Sequence, residues 1–173
     1  ITITDLPGIY SLSPYSPEEV VARNYLVNES PNVIINIVDG TKLERNLYLT
    51  LQLMEIGVPI VVAINMMDVV RKNGVKINID KLSKMLGVQV VEISALKNLG
   101  IDNLISTTVK VANNKNTPPK CMKYNSIIEN TLQVIESKLN NNSNKEKLRY
   151  LSVKVFEKDK YILNSLNLNL ETL

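Results

Sequence analysis

Apolar positions along the chain follow two alternating rhythms. Residues 1–4 (ITIT) alternate β-branched and polar side chains, which predicts a strand. Residues 33–38 (VIINIV), 58–65 (VPIVVAIN) and 88–93 (VQVVEI) are short, mostly apolar runs that predict three more. The run at 58–65 is apolar on both faces and too short to cross a membrane, so it is expected at the centre of a parallel sheet, covered on both sides. Between these runs the spacing turns helical. Ser16 caps a helix with Pro17 at its first position and Glu18 and Glu19 in its first turn, running to about residue 28. Leu43, Leu47, Leu51, Met54 and their neighbours make a second helix, ended by Gly57. Residues 80–86, stopped by Gly87, and residues 101–112 make two more. Strand and helix thus alternate, the pattern of a parallel sheet with right-handed crossovers.

The rhythm changes after a polar, proline-containing linker at 113–119. From there only helical spacing is found: Tyr124 to Leu139 on one helix, a polar loop at 140–144, a second helix through Leu148, Leu151, Val155 and Phe156, and a short third piece at 166–170. The expected organisation is an α/β domain over 1–116 followed by a small all-α domain over 117–173. The apolar stripes of the second part are read as helix-to-helix packing.

With 45% hydrophobic and 21% charged residues the 173-residue chain is a folding, globular sequence. A net charge of +3, without a Lys/Arg block or interleaved aromatics, argues against a nucleic-acid partner. The sequence has no His, which removes His-based catalysis and His-ligated metals, and its single cysteine, Cys121, suits a reducing compartment. Neither a transmembrane-length apolar run nor a signal peptide is visible, and the start on Ile1 reads as the middle of something longer.

The chemistry gathers at three strand ends. In open parallel sheets, ligands sit beyond the carboxyl ends of the strands. The run at 58–65 ends in Asn65, Met66, Met67 and Asp68. A carboxylate placed as Asp68 can accept two hydrogen bonds from the N1 and N2 donors of guanine, a pair that adenine cannot supply, and a nearby amide such as Asn65 can bridge base and loops. Alone, an Asn-x-x-Asp spacing more often just ends a strand. Asp5 and Gly8, in DLPG, follow the first predicted strand. A carboxylate there suits Mg²⁺, usually through water, and a glycine N–H can approach a terminal phosphate because no Cβ is in the way. Residues 9–17, with two prolines and three serines, form a loop able to move. The strand at 88–93 ends in Ser94, Ala95 and Leu96, whose backbone N–H groups, chiefly those of Ala95 and Leu96, can reach the guanine O6. The order of the three pieces, more than any one of them, points to a guanine-nucleotide fold.

These residues resemble the cytosolic G domain of the ferrous iron transport protein B (FeoB) family. The stretches that carry the resemblance are DLPGIYSLSPYSPEEVVARNYL, NIVDGTKLERNLYLTLQLMEIGVPIVVAINMMD and SALKNLGIDNL, and RYLSVKVFEKD resembles the end of that family's helical domain. The resemblance covers nearly the whole chain. It implies an incomplete P-loop NTPase of the Ras-like type followed by a helical domain, with GTP or GDP and Mg²⁺ as ligands. It implies Asp5 in the Mg²⁺ shell, Gly8 as γ-phosphate sensor, residues 9–16 as the second switch, Asn65 and Asp68 as guanine readers, and Ser94, Ala95 and Leu96 backing the base. Met66 matches the Met that the family commonly places where most GTPases have Lys. Position 9 is Ile, where Ras-like enzymes place a water-orienting Gln, so hydrolysis would need another device. The resemblance further implies a transmembrane iron-permeation part of the same parent protein as partner, a place on the cytoplasmic face of the bacterial inner membrane, and room for a homo-oligomer.

The sequence holds no GxxxxGK[S/T] loop, and the first switch that precedes DxxG in the family is also absent. The 173 residues are therefore expected to bind GTP poorly and to show no measurable hydrolysis. Two other readings compete with a regulatory GTPase module: a non-catalytic interaction module that no longer binds nucleotide, and a GTPase of tRNA or ribosomes, which the low charge disfavours.

Overall fold

The computed structural model describes residues 1–13, 16–114, 119–139 and 147–168. Along the chain the elements are α1 (Pro17–Asn28), β1 (Ile34–Asp39), α2 (Leu43–Glu55), β2 (Ile60–Asn65), α3 (Met67–Lys72), α4 (Ile79–Leu86), β3 (Gln89–Glu92), α5 (Ile101–Asn113), α6 (Ser126–Leu139), α7 (Leu148–Phe156) and α8 (Lys160–Ser165). They fall into two units that interleave along the chain. One holds Pro31–Met54 and Val58–Cys121; the other holds Ile1–Ser30, Glu55–Gly57 and the described residues from Met122 onward.

The first unit is an α/β layer. Its sheet has the order β1-β2-β3, all parallel, with Ile64 opposite Val38 on one side and Glu92 on the other. β2 is the buried centre that its sequence predicts: Ile60 is 2% exposed, and Val61, Val62, Ala63 and Ile64 are fully buried. A strand with no polar side chain and no access to water must satisfy every backbone N–H and C=O in the ladder, so both neighbours are obligatory. On one face Val61, Ala63, Val91 and Ile93 pack with Leu104 of α5. On β1, the buried Asn36 donates to the Thr50 hydroxyl of α2 at 2.7 Å, a polar pin that holds this helix in register on its strand. β1, an outer strand of this sheet, alternates in burial, and Ile37 is 61% exposed.

The second unit is helical. α6, α7 and α8 pack through Leu132, Ile135, Tyr150, Val153, Ile162 and Leu163, all buried. α1 joins them through Arg23, 1% exposed, which donates to Asp159 at 3.3 Å and stacks 4.1 Å over the Tyr161 ring. Ser16 caps α1, as the sequence predicts, and the Glu19 side chain returns a bond to the Ser16 N–H to complete a capping box.

Three expectations differ. Residues 1–4 are not a strand; Ile1 and Ile3 are 96% and 77% exposed. Alternation allows a strand, but a strand also needs a hydrogen-bonding neighbour, and no described strand pairs with this segment. A six-residue helix, α3, follows β2 where no element is expected. The last helical piece is α8, ahead of residues 166–170, and begins where the Asp159 carboxylate accepts from the Tyr161 and Ile162 N–H groups. Residues 169–170, the polar loop at 140–144, most of the 113–119 linker, and Pro14 and Tyr15 of the 9–17 loop lie outside the described residues.

Because β2 is held on both faces, Ile64→Ala should cost about 2–5 kcal/mol in unfolding free energy, read by chemical denaturation. A loss below about 1 kcal/mol would contradict the burial described.

Candidate functional site

Burial ends abruptly where β2 does. Ile64 is fully buried, Asn65 half-buried, and Met66 46% exposed. The chain turns out of the sheet at Met66, which adopts the left-handed conformation (φ 61°, ψ 27°), uncommon for a non-glycine residue. That turn starts α3 and puts Asp68 in its first turn. Gly40, just past β1, makes room for the bend: a Cβ there would sit 2.9 Å from the Asn65 carbonyl oxygen.

β3 supplies the facing loop. The ladder runs past the regular strands, with Ile93 N–H donating to the Ile64 carbonyl at 2.8 Å and Met67 N–H to the Ile93 carbonyl at 3.3 Å. Residues 94–99 then close on themselves. Ser94 N–H donates to the Leu99 carbonyl and Leu99 N–H to the Ser94 carbonyl, both at 3.0 Å, around a short 3-10 turn at Ala95–Lys97. Gly100 ends the loop at φ 78°, and a Cβ on it would lie 2.2 Å from the Glu92 carbonyl oxygen, so the tight return needs glycine.

Side chains cross-link the two strand ends. The Asn65 side-chain oxygen Oδ1 accepts from Met66 N–H at 2.8 Å and from Ala95 N–H at 3.0 Å. Ser94, 3% exposed, donates from its hydroxyl to Asp68 Oδ1 at 2.9 Å. Lys97 Nζ lies 3.2 Å from Asp68 Oδ2. The Ser94 hydroxyl first, then Lys97, holds the Asp68 carboxyl below its ordinary range. Leu96 is 93% exposed beside it. A cavity of about 220 Å³ next to the pair is lined in part by Asp68, Arg71, Glu92 and Ser94.

Six of the expected site residues, Asn65, Met66, Asp68, Ser94, Ala95 and Leu96, therefore meet in one unit. One detail differs: the Ala95 N–H is directed to Asn65, which leaves Leu96 as the backbone donor of that loop. Asp5 and Gly8 belong to the other unit. Both are exposed, and nothing lies within 4 Å of a Cβ built on Gly8. Asp5 offers one hard oxygen donor of the kind Mg²⁺ takes, and no group of three or more carboxylates, His or Cys that could hold a metal is found among the described residues. An octahedral ion at Asp5 would need water and phosphate oxygens for its other positions. Lys97 and Gly40 escape the sequence reading. The Asp-Gly pair at 39–40 was available as a signal for Gly40, whereas a loop lysine carries none.

The sequence matches the family described as "Ferrous iron transport protein B" over residues 1–108 and the "FeoB cytosolic helical domain" over residues 124–173. It is 43% identical over 166 residues to the Fe(2+) transport protein A/Fe(2+) transporter FeoB fusion protein of Porphyromonas gingivalis, covering 92% of this chain and 20% of that protein. It is 44% identical over 108 residues to the Fe(2+) transporter FeoB of Escherichia coli K12, covering 60% of this chain and 14% of that one. The chain thus spans a fifth or less of these relatives. NFeoB from S. thermophilus bound to mGMPPNP superimposes with a TM-score of 0.89 at 44% identity, over 96% of this chain and 62% of that one. The same protein bound to GDP.AlF4- and K+ gives 0.91 at 44% identity, over 96% and 65%.

Because the Ser94 hydroxyl stabilises the charged carboxylate, Ser94→Ala should move the Asp68 titration up toward the ordinary value of about 4. The sign follows from linkage. A depressed folded-state pKa adds stability in full above the unfolded value, and that stability is lost as pH falls through the folded one. The variant should therefore lose less stability than the parent on acidification through that window. Carboxyl ¹³C shifts followed against pH measure the titration, and an unmoved Asp68 curve would contradict the contact.

Proposed function

This chain belongs to the ferrous iron transport protein B family, and we propose that it reads guanine nucleotide for a membrane iron transporter. The observation that carries this is the pairing of Asp68 with the Asn65–Ala95 bridge at two adjacent strand ends. An ionised Asp68 presents two acceptors to the N1–H and N2–H donors of guanine; adenine would set its N1 lone pair against the carboxylate. Asn65 ties the β3 loop to the β2 turn, so that the Leu96 N–H can serve the O6 of the same base. Met66 and Leu96, both exposed, offer apolar surface to the faces of the purine. The S. thermophilus neighbours bound to mGMPPNP and to GDP.AlF4- support this choice of ligand.

Asp5 and Gly8 take the phosphate end in this reading. Asp5 would contribute one oxygen to a Mg²⁺ shell, where the ion would supply neutralisation of phosphate charge. The open space around Gly8 lets its N–H approach a terminal phosphate. Ser94, Ala95 and Leu96 back the base, and residues 9–16 form the segment that responds to it. In that segment Leu12 is buried and Tyr10 is 62% exposed. The response passes to the helices of residues 117–173 and from them to an iron-permeation part of the parent protein at the cytoplasmic face of the membrane. No helix among the described residues is long and apolar enough to cross a membrane itself. Ile9 cannot orient an attacking water, so hydrolysis is not assigned to these residues.

Binding of fluorescent GTP and XTP to this chain and to Asp68→Asn tests the reading. An amide offers one donor and one acceptor, the complement of the xanthine N1–H and O2. The variant should lose guanine binding by about 10-fold or more and favour xanthine. Guanine binding unchanged in the variant would remove Asp68 from base recognition.

A further inference from the structure

The contact between Lys97 and Asp68 plays no part in base recognition as described, and it stands where recognition has to happen. Asp68 is 17% exposed and carries a donor on each oxygen: the Ser94 hydroxyl on Oδ1 at 2.9 Å and the Lys97 ammonium on Oδ2 at 3.2 Å. Ser94 is 3% exposed and forms part of the packed strand end. Lys97 differs. Its side chain is 56% exposed and reaches Asp68 from a loop whose backbone is already closed by the two Ser94–Leu99 hydrogen bonds. Its own N–H donates to the Ser94 carbonyl at 3.1 Å, which fixes the turn it stands on. Releasing the ammonium therefore needs only side-chain rotation into water.

We propose that Lys97 is an internal competitor for guanine, a latch that occupies the Asp68 carboxylate when no base is bound and must swing away for the base to enter. The inference rests on the reading of Asp68 as the base acceptor. Guanine brings two N–H donors to the carboxylate, and a cation on Oδ2 both blocks one approach and drains charge from the acceptor. The latch has a use in the empty protein: it gives Asp68 Oδ2 a partner, so the site does not have to be rebuilt when a base arrives. Lys97 is thus a positioning residue that sets the base affinity without touching the base. Because the pair is half open to solvent, the effect is small, about a twofold to fivefold weakening of base binding.

The test uses guanosine, which carries the base without phosphate or charge, titrated into the 173-residue chain and followed by NMR. Lys97→Met should bind guanosine about twofold to fivefold more tightly than the parent, and Lys97→Gln, which also removes the charge, should follow it. Raising the salt from about 0.02 to about 0.5 M screens the ion pair. It should tighten guanosine binding to the parent and leave both variants unmoved; a lysine with a merely structural role would not give this pattern. The Asp68 carboxyl titration should also rise in both variants. Equal or weaker guanosine binding in both variants, or an unmoved Asp68 titration, would overturn the latch. Asp68→Asn separates the two layers of the argument. If it abolishes guanosine binding while the Lys97 variants change nothing, the base reading stands and the latch fails. If it binds guanosine as the parent does, or if no variant and no parent binds up to saturation, the base reading itself fails and the latch falls with it.

Discussion

The parallel ladder on both sides of β2 is the constraint from which the rest of the first unit follows. Five consecutive residues, Ile60 to Ile64, are 2% exposed or less, and none has a side chain able to hydrogen-bond the backbone. Burial supplies the driving force, but only if every peptide group finds a partner in β1 or β3. That requirement sets the register, and the register sets where the strands stop. Because Ile93 and Met67 extend the ladder by two more hydrogen bonds, the exits of β2 and β3 lie side by side. Asn65, Asp68 and Ser94 are the first residues beyond it on which polar side chains can meet, so the candidate site is the unused end of the sheet's own hydrogen-bonding pattern.

The helical unit solves a different problem. It buries charge: Arg23 and Lys154 are each 1% exposed, paired with Asp159 and Glu157. Glu55, buried at the end of α2, accepts from the Tyr124 hydroxyl at 2.6 Å, and desolvation raises its pKa above the ordinary carboxyl value. Such pairs add little net stability against apolar replacements, yet breaking one partner leaves an uncompensated charge. Of these, the Arg23–Asp159 pair ties α1 to the start of α8, whereas Lys154 and Glu157 pair within one turn of α7. A segment that responds to a ligand at Asp5 and Gly8 would pull on α1, and α1 is tied to this unit by Arg23.

Sequence patterning reveals the parts whose physics is local or periodic. The double-sided burial of β2 is legible because a central parallel strand is apolar throughout. The cap at Ser16 and the helix stop at Gly87 are legible because each needs particular residue types at fixed offsets. The meeting of Asn65 and Asp68 with Ser94 is legible only through the order of strand ends. Residues 1–4 mislead because period-two alternation records what a strand would look like, while the neighbour that makes it one is not written locally. The left-handed turn at Met66 and the helix behind it are hidden for the opposite reason: methionine rarely takes that conformation, and the surrounding sheet imposes it. Lys97 has no signature at all, since its partner is 29 positions away and only the closed loop brings the two together.

The central claim is that the ends of β2 and β3 jointly distinguish guanine from other bases. The most direct measurement is a residue-resolved amide spectrum of the ¹⁵N-labelled chain with GDP and, separately, with ADP added. The account predicts shifts concentrated at Asn65 to Asp68 and Ser94 to Lys97 with GDP and none at those amides with ADP. Equal shifts with both nucleotides, or GDP shifts confined to residues outside the two strand ends, would contradict it.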